Sequence, residues 1–426
     1  MNRRLAIACA VFAILLAGLW LIAPGDDPMP PPGKATAALS APDRIARGAY
    51  LARAGDCQAC HTTRGGQPYA GGRALQTPFG NVFAPNITSD RETGIGAWSA
   101  DEFWRALHNG KSRDGRLLYP AFPYTNYTNV SRDDADALYA YFQTVPAVKQ
   151  ASLPHEVRFP YNLQASLWVW RSLYFRPAVY REDTGQSAQW NRGAYLVQGL
   201  GHCNACHSTR NVLGASSDRM SGGLITMLGW YAPSLTSDGE AGLGDWDTAH
   251  LAQLLKTGVS PRATVFGPMA EVVRESLQHL SDDDVQAMAM YLKTLPHAGG
   301  KAKPYERMES PEAQAFINLG SEVYLKHCVQ CHGFGGKGLP PAYPPLNGNR
   351  ALLMEEAANP IRIVLNGGFA PATAGNPRPY GMPPFAHVLS DTEVAAVVSY
   401  IRAAWNNNAP PINGNDVDRY RRVPLD

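Results

Sequence analysis

Three serines along the chain each open an amphipathic segment. Ser131, Ser281 and Ser390 precede turns rich in acidic residues, and apolar residues then follow at helical spacing, as at Leu138 and Phe142. A serine in this position caps the free amides at a helix start, and acidic residues there suit the positive end of the helix dipole. The pattern predicts three helices whose apolar faces line a core.

The N-terminus carries a different hydrophobic pattern. After Arg3 and Arg4, the run 5–23 holds 19 uncharged residues, which is long enough to cross a bilayer as a helix. The two arginines would keep the N-terminus in the cytoplasm. We favour a retained anchor in the bacterial inner membrane, with the rest of the chain in the periplasm. A cleaved signal peptide is the alternative.

The chain repeats itself, and the repeats mark domains. The segment RGAYL occurs at 47–51 and at 192–196, and a looser copy begins at Gly320. The segment APNITSD at 84–90 recurs as APSLTSD at 232–238, and the third copy has YPPL in that region. Each copy ends in one of the serine-capped segments, so each is one unit of about a hundred residues.

The stretches between the repeats complete the predicted organisation. A Pro-rich sequence follows the N-terminal run and is typical of a semi-rigid spacer. Between the first two copies, aromatic residues are unusually frequent. That aromatic stretch is either interdomain packing or a docking face for a partner or the membrane interface. The predicted divisions are an anchor or signal segment at 1–24, a spacer at 25–42, domains at 43–150, 189–300 and 301–410, an aromatic-rich interdomain segment at 151–188, and a C-terminal tail at 411–426.

Composition narrows the function classes. The 426 residues suit about three domains. With 38 basic and 36 acidic residues, the chain lacks the excess of positive charge that is typical of nucleic-acid-binding proteins. Glycine (40) and proline (34) are abundant, as expected for compact domains with much loop around a prosthetic group. We find no Ser/His/Asp pattern, no metal-hydrolase motif and no GxGxxG followed by a strand and an acid. Substrate oxidation is therefore expected on another chain, and whether this chain is itself an enzyme stays open.

The pattern Cys-x-x-Cys-His occurs once in each predicted domain. Two cysteines three apart on a helical turn reach both vinyl groups of a haem as thioethers, and the next residue supplies the proximal iron ligand. We therefore predict three covalent c-type haems in a mainly α protein, with three tandem class I cytochrome c domains after an N-terminal transmembrane helix. The predicted thioether residues are Cys57, Cys60, Cys203, Cys206, Cys328 and Cys331, and the predicted proximal ligands are His61, His207 and His332.

The loops before the capped segments differ in their candidate distal ligands. Met382 in the third domain and Met269 in the second lie where a methionine would complete the iron coordination and raise the reduction potential. The first domain has Phe122 at the aligned position, and phenylalanine cannot bind iron. Its haem is then either open or water-ligated, with Phe122 covering the distal face, or ligated by another side chain. His108 is the candidate for that ligand, although we favour an exposed surface position for it.

The chain resembles the tri-haem cytochrome c subunits of bacterial membrane-bound dehydrogenases. The resemblance implies an electron-transfer subunit that serves a quinoprotein, flavoprotein or molybdopterin dehydrogenase and passes electrons to ubiquinone or a terminal oxidase. It also implies that Met269 and Met382 are iron ligands. Phe122 departs from the family's usual methionine, and we associate it with the molybdopterin-linked branch. The segments that carry the resemblance are 190–211, 229–238, 267–273 and 343–349.

We therefore expect a relay from the catalytic subunit of an alcohol- or aldehyde-type dehydrogenase to ubiquinone. One alternative is a stand-alone haem enzyme that acts on peroxide or a small ligand at the first haem. Another is a relay from a molybdopterin hydroxylase of N-heterocycles to a terminal oxidase.

Overall fold

The computed structural model describes residue 18 and residues 39–217, 219–237, 242–297 and 310–424. The chain divides into two compact units. The first comprises residues 1–182, 198–202 and 212–215, and the second comprises residues 183–197, 203–211 and 216–426. The first unit thus takes in two short pieces of the second predicted domain. The three predicted domain boundaries stay predictions.

The predicted N-terminal transmembrane helix requires a correction of the fold class. Within the described ranges, no helix is long and apolar enough to cross a membrane. The longest helix there, Pro311–His327, has 17 residues and carries charges such as Glu322 and Lys326, whereas a span needs about 20 apolar residues. The predicted run 5–23 lies outside the described residues except for Gly18. What the structure describes is a mainly helical protein without a spanning helix.

The first unit is built from six helices and a small antiparallel sheet in its described part. Strand β2 pairs with β1 on one side and β3 on the other. The helices are α1 (Ala41–Ala54), α2 (Cys57–His61), α3 (Ala100–Asn109), α4 (Tyr124–Tyr127), α5 (Arg132–Phe142) and α6 (Gln164–Tyr174), and the strands are β1 (Ala74–Thr77), β2 (Gly80–Phe83) and β3 (Glu156–Val157).

Helices α1 and α5 cross at a glycine. A Cβ added to Gly48 would clash with the carbonyl oxygen of Ala137, so the helices touch backbone to backbone. Arg47, beside that glycine, forms an ion pair of 2.5 Å with the buried Asp134. The predicted Ser131 cap is confirmed, because its hydroxyl accepts from the amide of Asp134. The repeated Arg-Gly pair therefore fixes the crossing of the first and closing helices.

The aromatic-rich segment is partly buried within the first unit. Leu167 and Phe175 are buried, and the guanidinium of Arg171 lies over the Phe175 ring. Phe159 and Leu173 are exposed. One face of α6 thus packs against its own unit and the other is exposed, and both interpretations of this segment stay predictions.

The second unit contains the remaining described helices and two short hairpins. Strand β4 pairs with β5 and β6 with β7, both antiparallel. The helices are α7 (Ala188–Gln198), α8 (Thr248–Thr257), α9 (Pro268–Glu275), α10 (Asp282–Lys293), α11 (Pro311–His327), α12 (Val329–His332), α13 (Ala358–Asn366), α14 (Asp391–Ala403) and α15 (Gly414–Arg421), and the strands are β4 (Gly223–Ile225), β5 (Trp230–Ala232), β6 (Gly368–Phe369) and β7 (Gly381–Met382).

The crossing seen in the first unit recurs twice in the second. A Cβ on Gly193 would clash with Ala287, and one on Gly320 with Ala396, each at a backbone carbonyl. Arg192 pairs with Asp284 at 2.7 Å, as Arg47 does with its aspartate. The caps predicted at Ser281 and Ser390 are confirmed. Helix α15, in the predicted C-terminal tail, packs against α14 through buried residues.

Within the second unit, the part with the second motif contacts the part with the third. The backbone amide and carbonyl of Tyr231 bond to the side chain of Asn359 at 2.9 and 2.8 Å. Asp245 accepts from both Arg262 (3.0 Å) and Arg350 (2.8 Å). Polar contacts of this kind fix the register of the two parts.

Candidate functional site

The three Cys-x-x-Cys-His motifs each form a short helical turn. The first is helix α2, the second begins as a 3-10 turn at Cys203–Ala205, and the third is helix α12 with Cys328 as its cap residue. A helical turn brings residues three apart to one face. None of the six motif cysteines forms a disulfide, so the two sulfurs of every motif can both take part in a bond to one group on the same side of the turn.

A proline carbonyl orients each motif histidine. The Nδ1 of His61 lies 2.7 Å from the Pro85 oxygen, and that of His207 lies 2.6 Å from the Pro233 oxygen. In the third motif the corresponding distance, from His332 to Pro344, is 3.2 Å. A carbonyl only accepts, so Nδ1 carries the proton and Nε2 keeps its lone pair for a metal. The sequence showed these prolines as a repeat without revealing this role.

Burial makes the motif side chains suited to a covalent, low-dielectric site. It lowers the pKa of His61, His207 and His332, which keeps the imidazoles neutral and able to bind a metal. Burial also raises the pKa of Cys57 and Cys203 to about 12. Both sulfurs thus lie in surroundings that disfavour a thiolate.

Two arginines brace the first and second motifs in the same way. Arg73 donates to the carbonyl of Ala59, and Arg210 to that of Ala205, both at 2.5 Å. Each acceptor is the residue directly before the second cysteine of its motif. The first two motifs therefore share both a histidine support and a backbone support.

The predicted distal methionines lie in different local structures. Met269 is in the first turn of α9, directly after Pro268. Met382 lies in β7, paired with Gly368, and packs against the same hydrophobic core as Cys328. The structure thus brings Met382 and its motif to one core. Ligation of iron by either methionine stays a prediction.

The first unit has neither methionine nor an exposed histidine at the corresponding place. Phe122 is half-buried, and its ring lies 5.2 Å from that of Tyr127. The expectation of a surface position for His108 is wrong, because the side chain is 1% exposed. It stacks on Trp104 at 4.5 Å, and its Nδ1 bonds to the Thr128 carbonyl at 3.0 Å. Its role as a distal ligand stays a prediction.

The sequence did not point to another histidine, His202, which is partly buried. It precedes Cys203 directly, its Nδ1 lies 2.7 Å from the Leu200 oxygen, and its ring lies 5.7 Å from that of Tyr127. Burial lowers the pKa of His202, so it is a neutral ring in a packed environment. The only sequence signal was its position directly before the motif.

These residues fit a covalent haem at each motif. The paired free thiols would hold the porphyrin, and a neutral histidine with Nε2 available would bind its iron. Among the described residues, no group of three or more His, Cys, Asp or Glu side chains could hold another metal ion.

Comparison with known proteins supports this assignment. A family model described as cytochrome c matches residues 45–146 and 317–405. The gluconate 2-dehydrogenase cytochrome c subunit of Pantoea cypripedii is 39% identical over 400 residues, 89% of each chain. The alcohol dehydrogenase (quinone) cytochrome c subunit of Gluconobacter oxydans is 37% identical over 394 residues, 88% of this chain and 82% of the relative. A nicotinate dehydrogenase subunit of Pseudomonas putida is 40% identical over 395 residues, but the match covers 91% of this chain and 32% of that protein.

The resemblance inferred from the sequence is thus confirmed, and covalently bound haem c follows from it. With its motif geometry and its similarity over most of its length to such subunits, the chain belongs to the cytochrome c family, among the electron-transfer subunits of dehydrogenase complexes.

Proposed function

We propose that this chain carries three haems and relays electrons from an alcohol- or aldehyde-type dehydrogenase subunit to ubiquinone, with its haem domains in the periplasm. The proposed number of haems rests on one observation: a proline carbonyl bonds to the histidine of each of the three motifs. The family model leaves residues 147–316 unmatched, yet the second motif in that range has the same support as the first. A chain that had lost this haem would have no reason to keep that geometry.

Each bound haem supplies a one-electron redox centre. The protein's own contribution is to hold His61, His207 and His332 in the neutral tautomer, each through a proline carbonyl. A site with fixed ligands changes little when an electron arrives, which favours transfer.

Similarity to dehydrogenase subunits supports the choice of partner and acceptor. The relative from Gluconobacter oxydans is named as the cytochrome c subunit of an alcohol dehydrogenase (quinone). We therefore propose ubiquinone as the acceptor and a separate catalytic chain as the donor. The similarity to the nicotinate dehydrogenase subunit of Pseudomonas putida favours a second candidate, a relay from a molybdopterin hydroxylase of an N-heterocycle to a terminal oxidase.

The first haem is proposed to differ from the other two. With Phe122 in place of methionine, its distal side would be open or water-ligated, and its potential would lie below those of the methionine-ligated pair. We expect a minority high-spin ferric signal and binding of CO after reduction. Three low-spin, CO-inert haems would contradict the open site and favour ligation by His108.

The stand-alone haem enzyme would also use an open first haem. Peroxide chemistry needs an acid–base group beside the iron, and His108 is bonded to the Thr128 carbonyl and stacked on Trp104. Turnover of peroxide by the purified chain, together with failure to co-purify any dehydrogenase subunit, would replace the relay by this enzyme.

Haem content tests the proposal directly. The full chain, expressed with haem c maturation, should contain three haems per polypeptide by haemochrome absorbance and intact mass. The double variant Cys203→Ala, Cys206→Ala should contain two haems. The matched double variant Cys57→Ala, Cys60→Ala should also contain two. Two haems in the unaltered chain and no loss in the Cys203/Cys206 variant would refute the third haem. Capture from native membranes should yield a catalytic dehydrogenase subunit.

A further inference from the structure

A short piece of the second predicted domain is built into the first unit. Residues 198–202 belong to that unit, and Asn126 fastens them by donating to the Gln198 carbonyl at 2.9 Å. A Cβ added to Gly55 would lie 3.3 Å from both the Leu200 side chain and the Cys57 sulfur. The piece therefore reaches the cysteine side of the first motif. The next residue in the chain is Cys203, the first cysteine of the second motif.

Tyr127 fills the space between this piece and the first motif. Its side chain is 6% exposed, and its hydroxyl donates to the Gly55 carbonyl at 3.0 Å. Burial raises the pKa of Tyr127, and the charges of Cys57 and Cys60 raise it further. On its other side, the ring meets His202 edge to face, at 5.7 Å and 78°.

The backbone holds His202 in a costly conformation. Its φ is 37°, and Asp56, the residue before the first motif, has φ 49°. Left-handed backbone in non-glycine residues persists only where the surroundings impose it. In this conformation the Nδ1 of His202 bonds to the Leu200 carbonyl and its ring contacts Tyr127. The third motif lacks the feature: α11 runs to His327, and Cys328 has φ −118°.

We propose that Tyr127 and His202 form the electron path between the haems of the first and second motifs. The Tyr127 ring connects Gly55, which lies beside the Cys57 sulfur, to His202, the residue bonded to Cys203. In this step one electron leaves the iron held by one motif and arrives at the iron held by the other. One iron is oxidised, the other is reduced, and no proton or covalent bond changes. The path rests on the proposed haem at the second motif.

The test is the rate of internal electron transfer in the full chain loaded with haem. After photoreduction by a flash-excited dye, equilibration among the haems is followed by absorbance. Tyr127→Leu should slow the phase between the first two haems about tenfold, equivalent to about 1.4 kcal/mol, because it leaves a gap in the path. Tyr127→Phe keeps the ring but removes the hydrogen bond to Gly55, so it should slow the same phase less than Tyr127→Leu does. His202→Asn removes the second ring but tolerates the left-handed backbone, and it should slow the same phase.

A matched control comes from the third motif. The ring of His327, also directly before its motif, contacts Phe385 at 5.7 Å, and Phe385→Leu should leave the phase between the first two haems unchanged. The double variant Tyr127→Leu, His202→Asn should be no slower than the slower single variant if both rings serve one path.

Spectra and midpoint potentials separate a path from a structural role. Both should match the unaltered protein in the Tyr127 and His202 variants while the rate falls. Unchanged rates in Tyr127→Leu and His202→Asn, with three haems present, would overturn the path and leave the proposed function intact. A chain with two haems would instead refute the proposed function itself.

Discussion

Gly48 offers a single-methyl test of the helix crossing that defines each unit. In Gly48→Ala the new Cβ would lie 2.7 Å from both the carbonyl carbon of Ala137 and the Cβ of Tyr141. Alanine improves helix propensity by about 1 kcal/mol, whereas forcing an extra carbon into packed structure costs about 1–3 kcal/mol. The obstacle is backbone, which cannot rotate aside, so the upper part of that range applies. The net loss should be about 1–2 kcal/mol.

Thermal unfolding followed by circular dichroism measures this loss. For a unit of this size, the midpoint should fall by roughly 2–8 °C, with haem content unchanged. Gly414→Ala is the matched control, because it also adds a methyl to a helical glycine and meets its nearest neighbour, the Asp391 Cβ, at 3.8 Å. It should be neutral or stabilising. If Gly48→Ala is as stable as the unaltered protein, the crossing is not limited by this contact.

Further predictions test the caps, the charges and the distal ligands. Ser390→Ala removes a complete capping box and should cost about 1 kcal/mol in unfolding free energy; an unchanged midpoint would show that α14 is held by packing alone. Burial raises the pKa of Asp245, but hydrogen bonds and charges from Arg262 and Arg350 outweigh it and lower that pKa. The stability this gives is present above the ordinary value of 3.8 and is lost as pH falls through the lowered folded value. Asp245→Asn should therefore reduce the loss of stability of the second unit on acidification below about pH 4, and an identical acid titration in the variant would contradict this. Met382→Ala should add one CO-binding haem to the reduced protein, as judged by difference absorbance, and an unchanged CO stoichiometry would exclude Met382 as a ligand.

Local sequence signals predicted the serine-capped helices correctly. Ser131, Ser281 and Ser390 are caps because hydroxyl-to-amide bonding depends only on neighbours within one turn. The cysteines and histidine of a motif are likewise set by the spacing of one helical turn. The repeat also pointed correctly to the segment with Pro85, although its function, a carbonyl aimed at His61, is a contact over 24 residues. Periodicity carries no information on a contact of that range.

Histidines were the least predictable part of the site. His108 lies in the last turn of an amphipathic helix, shortly before a glycine, and a histidine at such a position is usually exposed. Its burial follows from Trp104, one turn earlier, and from the loop carbonyl of Thr128. His202 looked like part of a motif flank, and its importance depends on Tyr127, which is 75 positions away in the chain. Both depend on tertiary packing, which overrides local pattern.

The residue before each motif separates three otherwise similar sites. Asp56 and His202 both break the helix direction with left-handed backbone, whereas His327 continues α11 without a break. The ring of His327 contacts Phe385 in the loop that follows Met382, so this ring contact lies within the part of the chain that holds the third motif. The ring of His202 contacts Tyr127, which donates to Gly55 beside the first motif. The cysteines and histidine of each motif would hold a haem, and the residue before the motif determines which neighbouring side chains that motif contacts. A relay needs the second property as well as the first, because electron transfer between two sites is faster where packed atoms connect them.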